Sequence, residues 1–222
     1  MESMKTEQLF DLTKSIAGEA LRAFQYPHEA LPHIGDILLE LQKKLGEDFW
    51  SPEEGVYIHK TAKVAPTAFI GTPCIIDAQA EIRHGAFIRG NAIVGKNCVV
   101  GNSTELKNVI LFDCVQAPHY NYVGDSILGY KSHMGAGSIT SNVKADKSPV
   151  VIRNGEKTLD TGLKKMGAML GDYAEIGCNA VLNPGTVIGR RSNVYPLSMV
   201  RGVVPPDSIY KTGGIVVSKR DQ

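Results

Sequence analysis

The sequence predicts a mainly β fold, a solenoid of six-residue repeats that follows a helical segment at the N-terminus. Aliphatic residues recur at every sixth position from Ile58 to Leu106, and a small residue stands four positions after each of the first eight. A six-residue period fits neither a helix nor an ordinary strand and is typical of a solenoid. The composition agrees, because 23 glycines, 11 prolines and only 7% aromatic residues suit a narrow core with frequent turns.

The first 50 residues predict helix rather than strand. Their apolar residues fall mostly on one face at helical spacing, over residues 9–24 and again over residues 34–45. Pro27 lies between these two stretches and interrupts the helical run. We therefore predict a helical hairpin over residues 1–50.

The repeat extends through most of the remaining chain. The aliphatic positions of its first block are Ile58, Val64, Ile70, Ile76, Ile82, Ile88, Val94, Val100 and Leu106. The small positions that accompany them are Ala62, Ala68, Cys74, Ala80, Ala86, Ala92, Cys98 and Thr104. A second block has its aliphatic positions at Leu170, Ile176, Leu182, Ile188, Val194 and Val200. Agreement at every position of the first block makes a chance pattern negligible.

Each six-residue unit is expected to form one short strand and a turn, so that three units close one triangular coil. The repeat resembles the left-handed parallel β-helix of the hexapeptide-repeat proteins, and the handedness is implied by this resemblance alone. We predict this domain over residues 57–210 and a C-terminal tail over residues 211–222. Loop insertions are predicted near residues 109–125 and 143–165, and such insertions often carry the functional site.

Charge and cysteine usage exclude several classes of protein. The formal net charge is +1, which argues against sequence-independent binding of nucleic acid. No stretch reaches the roughly 20 apolar residues of a membrane span, and residues 1–10 contain no apolar signal core. The four cysteines are scattered, and Cys74 and Cys98 occupy small-residue positions of the repeat, where packing explains them. We expect a cytoplasmic protein with reduced thiols.

Two cations are predicted to stack on the outside of the solenoid. Arg89 and Lys107 are separated by three full repeat units, and each follows an inward aliphatic residue, so both side chains should point outward from adjacent coils. Such a pair can bind a phosphate or a carboxylate. The alternative is two solvated surface charges, and stacking alone does not decide between them.

Two motifs in the interrupted part of the repeat add groups capable of chemistry. The segment PHYNYVGD contains His119, and an imidazole is a competent general base at neutral pH. The segment from His133 to Asn142, HMGAGSITSN, contains Gly135 and Gly137, which permit close approach of a ligand to the backbone.

Taken in order, the segments ELKN, PHYNYVGD and GAGSITSN resemble the motifs E-V-K-N, H-x-x-Y-x-G-D and G-A-G-T-I-T-x-N. These belong to the acetyltransferase domain of the bifunctional N-acetylglucosamine-1-phosphate uridyltransferase/glucosamine-1-phosphate acetyltransferases. The detailed likeness covers roughly residues 81–200. It implies acetyl-CoA-dependent N-acetylation of an amino-sugar 1-phosphate, with no metal needed, in a homotrimer whose sites lie between subunits.

The resemblance also implies a role for each matched residue. His119 is implied to be the general base that deprotonates the sugar amine. The implied substrate-binding residues are Arg89, Lys107, Tyr122, His133 and Asn142. The implied acetyl-CoA-binding residues are Ala136, Lys147, Cys178 and Pro196.

The sequence departs from the family in ways that affect the expected activity. It has no counterpart of the nucleotidyltransferase domain, so we do not expect this chain alone to transfer a uridyl group. His133 stands where the family usually has an asparagine, which leaves the identity of the amino sugar open. Cys178 and Pro196 replace small residues that contact acetyl-CoA in the family.

Three alternatives remain open at this level. The first is a noncatalytic module that forms trimers or regulates a separate sugar-1-phosphate nucleotidyltransferase. The second is a metal enzyme similar to the carbonic anhydrases of this fold, although His59, His84, His119 and His133 lack the closely spaced pair of that family. The third, a serine acetyltransferase, shares the helical N-terminus, but the motifs match sugar-phosphate enzymes better.

Overall fold

A computed structural model describes residues 1–219 and confirms the predicted fold class, a parallel β-helix of about nine coils. Its three faces are named here in the order in which the chain follows them. Face 1 consists of Val56–His59, Cys74–Ile76, Ala92–Val94, the second halves of Glu105–Leu111 and Tyr122–Leu128, and then Ala168–Leu170, Thr186–Ile188 and Val203–Val204. Phe49–Glu53 pairs with the first of these strands in antiparallel orientation.

The other two faces complete each triangular coil. Face 2 consists of Lys63–Val64, Glu81–Ile82, Val99–Asn102, Gln116–His119, His133–Met134, Glu175–Ile176, Asn193–Val194 and Ser208–Lys211. Face 3 consists of Phe69–Ile70, Phe87–Ile88, the first halves of Glu105–Leu111 and Tyr122–Leu128, and then Ile139–Thr140, Val181–Leu182 and Met199–Val200.

The predicted inward residues form the core of the solenoid. All the aliphatic residues of the two blocks are buried except Val64 and Ile70, which lie in the first coil and are half-buried. Cys74 and Cys98 are fully buried, as their place among the small residues predicts. Burial raises the pKa of the Cys74 thiol to about 12, and it also raises the pKa of Cys98, so both remain protonated and inert.

The predicted loop insertion near residues 109–125 is wrong. Val99 lies beside Gln116, and Glu105 lies beside Tyr122, so this stretch forms a regular coil rather than a loop. The coil is a single residue shorter than three full repeat units. That deletion shifts the six-residue pattern, and the shift made a regular coil resemble an interruption in the sequence.

The second predicted insertion does leave the coil. Leu128 lies beside Leu170, which is much further along the chain than the three repeat units that a regular coil needs. The extra residues include the antiparallel strands Val151–Asn154 and Lys157–Asp160. Buried Val150 anchors this hairpin against Gly185, so the insertion packs along the later coils.

The N-terminal segment differs from the predicted two-helix hairpin. It contains six short helical pieces: Glu2–Met4, Thr6–Leu9, Leu12–Lys14, Gly18–Leu21, Pro27–His33 and Ile34–Gln42. Extended backbone at Phe10 and Ser15 breaks what the apolar spacing suggested was one helix. The apolar residues of the segment are there because the whole segment packs on the outside of face 1. Face 1 is apolar on that outer side as well as toward the core. Its outward residues between the two end strands are all buried, and those of the end strands, Tyr57 and Val203, are half-buried. The buried ones are Ile75, Ile93, Ile110, Ile127, Met169 and Val187.

The C-terminal part folds back on face 2. Ile215–Ser218 pairs in antiparallel orientation with Ser208–Lys211, and a short helical turn at Thr212–Gly214 connects them. Residues 220–222 of the predicted tail lie outside the described residues. No helix within residues 1–219 combines the length and apolar character needed to cross a bilayer.

Candidate active site

A buried carboxylate organises the polar part of face 3. Asp125 is only 4% exposed, and its oxygens lie 2.9 and 3.1 Å from Nζ of Lys107, one coil away. Oδ1 also accepts a hydrogen bond from Nδ2 of Asn108 at 3.0 Å, and Oδ2 accepts one from Nδ2 of Asn142. Two of the predicted substrate residues, Lys107 and Asn142, are therefore held by one carboxylate.

Tyr122 joins the same cluster. Its hydroxyl oxygen accepts a hydrogen bond from Nδ2 of Asn142 at 3.2 Å. Partial burial raises the pKa of Tyr122, and the negative charge of Asp125 raises it further. The phenol therefore keeps its proton at neutral pH. Because the amide of Asn142 already donates to the oxygen, that proton is available for a ligand.

A glycine makes this position of the Tyr122 ring possible. A Cβ atom at Gly124 would lie 2.5 Å from the Tyr122 hydroxyl oxygen. The Tyr122 ring thus lies over the backbone of Gly124, and any larger residue at position 124 would displace it. The glycine of the PHYNYVGD motif serves the placement of the tyrosine that precedes it.

Arg89 lies beside this cluster and is also paired. Ile88 is in register with Leu106, which places Arg89 and Lys107 on adjacent coils as predicted. Nη1 of Arg89 is 2.9 Å from Oε1 of Glu105. Each predicted cation therefore has a carboxylate partner, and the four charges balance. The pair at Arg89 is largely exposed, and such pairs contribute little and exchange partners readily.

His119 lies at the corner where face 2 gives way to face 3. The imidazole is exposed, and none of the hydrogen bonds found within residues 1–219 involves it. The backbone at this corner is well fixed: the carbonyl oxygen of His119 accepts from the amide of Gly137, and buried Asn121 donates to the carbonyl oxygen of Gly135. No hydrogen bond among the described residues joins His119 to the cluster on face 3.

His133 lies apart from the other predicted substrate residues. It is on face 2, where its Nδ1 is 3.0 Å from Oε2 of Glu175. Both side chains line a groove of about 1390 Å³ between face 2 and the C-terminal hairpin. Cys178 and Pro196 line the same groove. The structure therefore brings His133 together with two predicted acetyl-CoA residues rather than with Lys107.

The remaining two predicted acetyl-CoA residues differ in their position. Ala136 follows Gly135, which lines the groove, and its carbonyl oxygen accepts from the amide of Asn179 at 2.8 Å. Lys147 is exposed in the insertion, and its amide donates to the carbonyl oxygen of Lys144. Lys147 does not line the groove.

Three residues of the cluster were not identified as site residues from the sequence. Asp125, Glu105 and Asn108 all lie within the quoted motifs, but the six-residue pattern gives no sign of which outward residues meet. Spacing alone would not have found Asp125, because the coil after Lys107 is one residue short and places Gly124, not Asp125, directly beside Lys107.

The histidines do not gather into a metal site. His59 and His84 each contact a threonine hydroxyl, Thr61 and Thr67. Within the described part of the chain, no three His, Cys, Asp or Glu side chains are placed to share a metal ion.

Comparisons with known proteins support the resemblance seen in the motifs. The family model described as GMPPB C-terminal domain matches residues 71–155. The bifunctional protein GlmU of Methanococcus maripaludis strain C5 is 32% identical over 136 residues, which cover 61% of this chain and 33% of that protein. A bifunctional sugar-1-phosphate nucleotidylyltransferase/acetyltransferase of Sulfurisphaera tokodaii is 28% identical, with 73% of this chain and 45% of that protein covered.

The chain thus spans a third to a half of the length of these curated relatives. Among solved structures, the polySia-specific acetyltransferase NeuO superposes with a TM-score of 0.49 at 13% identity, covering 71% of this chain and 80% of NeuO. The six-residue repeat and the observed coils make the chain a hexapeptide-repeat β-helix, and in sequence it resembles the bifunctional sugar-1-phosphate nucleotidylyltransferase/acetyltransferases.

Proposed function

We propose that this chain is an acetyl-CoA-dependent N-acetyltransferase that acts on an amino-sugar 1-phosphate, with glucosamine 1-phosphate as the first substrate to test. The observation that carries the proposal is the cluster on face 3. Arg89 and Lys107 were assigned to an anion from their spacing and, with Tyr122 and Asn142, to the substrate from motif resemblance. All four lie on one face, and three of them are joined by hydrogen bonds through Asp125 or Asn142. The proposed activity is cytoplasmic.

In this proposal the phosphate binds at the end of face 3 that carries the two cations. Arg89 is the more available of them, because its pair with Glu105 is more open to solvent than the pair of Lys107 with Asp125, and a dianionic phosphate competes well for a guanidinium. Lys107 stays oriented by Asp125 and adds its positive charge from the adjacent coil. The phenol of Tyr122 and the amide of Asn142 then face the sugar.

His119 is the proposed general base. The amine nitrogen of the sugar attacks the carbonyl carbon of the thioester, and its proton passes to the imidazole as the N–C bond forms. The tetrahedral oxyanion is stabilised by backbone N–H groups, the C–S bond breaks, and the CoA thiolate takes up a proton. An exposed imidazole with no internal partner among the described residues is free to accept that proton.

Acetyl-CoA is placed in the groove on face 2. His119 lies one coil from Gly135 and Gly137, and Gly135 lines the groove. The corner at His119 therefore lies between the proposed acetyl-CoA on face 2 and the proposed sugar phosphate on face 3. Cys178 and Pro196 would contact the cofactor. A homotrimer that completes each site with a neighbouring subunit is part of the same proposal.

The test is thiol release from acetyl-CoA in the presence of glucosamine 1-phosphate, with the acetylated product identified by mass spectrometry. We expect turnover by the natural chain and a loss of roughly 100-fold or more in kcat for His119→Ala. His84→Ala is the matched control, because His84 occupies the same outward column two coils earlier and is also exposed. Equal activity of the two variants would exclude His119 as the base.

A second candidate is a noncatalytic module that forms trimers or regulates a separate sugar-1-phosphate nucleotidyltransferase. The observation that favours it is the pairing of both cations with carboxylates, which leaves the cluster without net charge. Calorimetry with acetyl-CoA separates the candidates. Clear binding supports the enzyme, and no heat at millimolar cofactor supports the module.

A further inference from the structure

Asn108 connects the N-terminal segment to the cluster on face 3. Its Nδ2 lies 3.2 Å from the carbonyl oxygen of Leu31 and 3.0 Å from Oδ1 of Asp125. An amide nitrogen has two protons, and both are used here. Leu31 and Asp125 are 3% and 4% exposed, so water does not compete strongly for either bond.

The packing around this amide holds its two partners in place. Leu31 belongs to Pro27–His33, which contacts the strand Tyr122–Leu128, and Ile34–Gln42 contacts the strand Glu105–Leu111. The N-terminal segment therefore contacts both strands that contribute to the cluster. Asn108 itself has a φ of 55°, a left-handed conformation that asparagine tolerates better than most residues.

The bonds of Asp125 continue this connection to the groups proposed to bind substrate. Its other contacts are Lys107 and Asn142, and Asn142 donates to the hydroxyl of Tyr122. A carboxylate that receives four hydrogen bonds from three side chains has little freedom to rotate. The orientation of Lys107 thus depends on that of Asp125, which depends on Asn108.

We propose that the N-terminal segment is a working part of this site, and that Asn108 is its positioning residue. The carbonyl group of Leu31 orients Asn108, Asn108 orients Asp125, and Asp125 sets the direction in which Lys107 and Asn142 point. The segment then does more than cover the apolar outside of face 1. The structural connection stands on the contacts alone, whereas its effect on substrate binding rests on the proposed function.

The test variant is Asn108→Gly, because glycine keeps the left-handed backbone and removes only the amide. Asn97→Gly is the matched control: Asn97 has a φ of 56° at another coil corner, is exposed and makes no side-chain hydrogen bond among the described residues. Asn108→Ser is a second variant, since one hydroxyl proton cannot serve both oxygens. Circular dichroism and thermal unfolding of the full chain show that each variant is folded.

The first readout does not depend on any activity. Lysines are labelled briefly with acetic anhydride, and the rate at each lysine is measured by peptide mass spectrometry. Releasing the ammonium group of Lys107 from its fixed ion pair with Asp125 makes it more accessible to the reagent, so we expect about threefold faster labelling in both Asn108 variants. The rate at Lys131, which is exposed elsewhere, stays unchanged, and Asn97→Gly resembles the natural chain.

The second readout is steady-state acetylation of glucosamine 1-phosphate. A misdirected Lys107 weakens binding before it affects chemistry, so we expect KM to rise about fivefold in Asn108→Gly while kcat stays within about twofold. Unchanged labelling of Lys107 in both Asn108 variants overturns the inference. The two proposals can also fail separately. If Lys107 is labelled faster in the Asn108 variants but the natural chain does not acetylate glucosamine 1-phosphate, the structural connection is supported and the proposed function is wrong.

Discussion

Lys107 and Asp125 form an ion pair of 2.9 Å across adjacent coils, with the carboxylate almost fully buried. The lysine side chain is 27% exposed, so the pair is only partly open to solvent. The main energetic role of such a pair is that each charge compensates the other, because a buried charge without a partner is strongly destabilising.

Asp125→Asn should therefore destabilise the protein. The amide keeps the shape of the side chain but leaves the ammonium group of Lys107 without a counter-charge. We expect the free energy of unfolding to fall by about 1–3 kcal/mol, less than for a fully buried pair because Lys107 is partly solvated. Urea unfolding measures the loss. The exposed pair of Arg89 and Glu105 is the control, and Glu105→Gln should cost less than about 1 kcal/mol. Equal losses would show that burial of Asp125 is unimportant.

Gly124→Ala tests whether the ring of Tyr122 must cross the backbone. The added methyl group would lie 2.5 Å from the hydroxyl oxygen, so the ring must move and its bond to Asn142 must break. We expect a loss of about 1–3 kcal/mol in unfolding free energy. Gly46→Ala is the control, because nothing lies within 4 Å of a Cβ there. If both variants unfold at the same urea concentration, the ring has room to adapt.

The solenoid could be predicted because its cause is local. Each aliphatic position, such as Ile76 or Ile188, faces the axis for the same reason, and one sequence period shows them all. The apolar outside of face 1 also left a trace, since Ile75 and Ile93 each stand immediately before an inward residue. These extra apolar residues could not be interpreted from the sequence without knowing that the N-terminal segment covers the outside of face 1.

The polar cluster could not be predicted in full, because its contacts depend on register. Asn108 lies directly beside Asp125 only because the coil between Glu105 and Tyr122 is one residue short of three full units. A one-residue change of this kind alters which outward side chains are neighbours. The same short coil produced the wrong prediction of a loop. His133 was grouped with the substrate residues by motif order, whereas the turn of the chain places it on another face.

Asp172 should make stability depend on pH with an unusual sign. It is fully buried, and although Arg190 and two backbone amides favour its charged form, burial is the larger effect and raises its pKa. A carboxyl group with a raised folded-state pKa binds its proton more tightly in the native protein. Its contribution to stability is therefore full below about pH 3.8 and is lost as the pH rises through the raised value.

The matched control for this effect is Asp207, whose pKa is lowered by its hydrogen bond to Arg191. Its contribution is present above pH 3.8 and is lost on acidification. We expect the difference in unfolding free energy between the natural chain and Asp172→Asn to fall as the pH rises above about 3.8. The difference for Asp207→Asn should stay level over that range and should fall only on acidification below about pH 3.8. Urea unfolding at several pH values measures both. A rising difference for Asp172→Asn would mean that Arg190 outweighs burial.

Cys178 provides a direct test of where acetyl-CoA binds. It is exposed and lines the groove on face 2, whereas Cys74 and Cys98 are buried with raised pKa values. A thiol reagent should modify Cys178 quickly and leave the two buried cysteines intact in the native protein. Saturating acetyl-CoA should slow modification of Cys178 about tenfold, because a bound cofactor covers the groove. The half-buried Cys114, which does not line this groove, reports general effects of the cofactor and should keep its rate. Equal protection of Cys114 and Cys178, or protection of neither, would place the cofactor elsewhere on the solenoid.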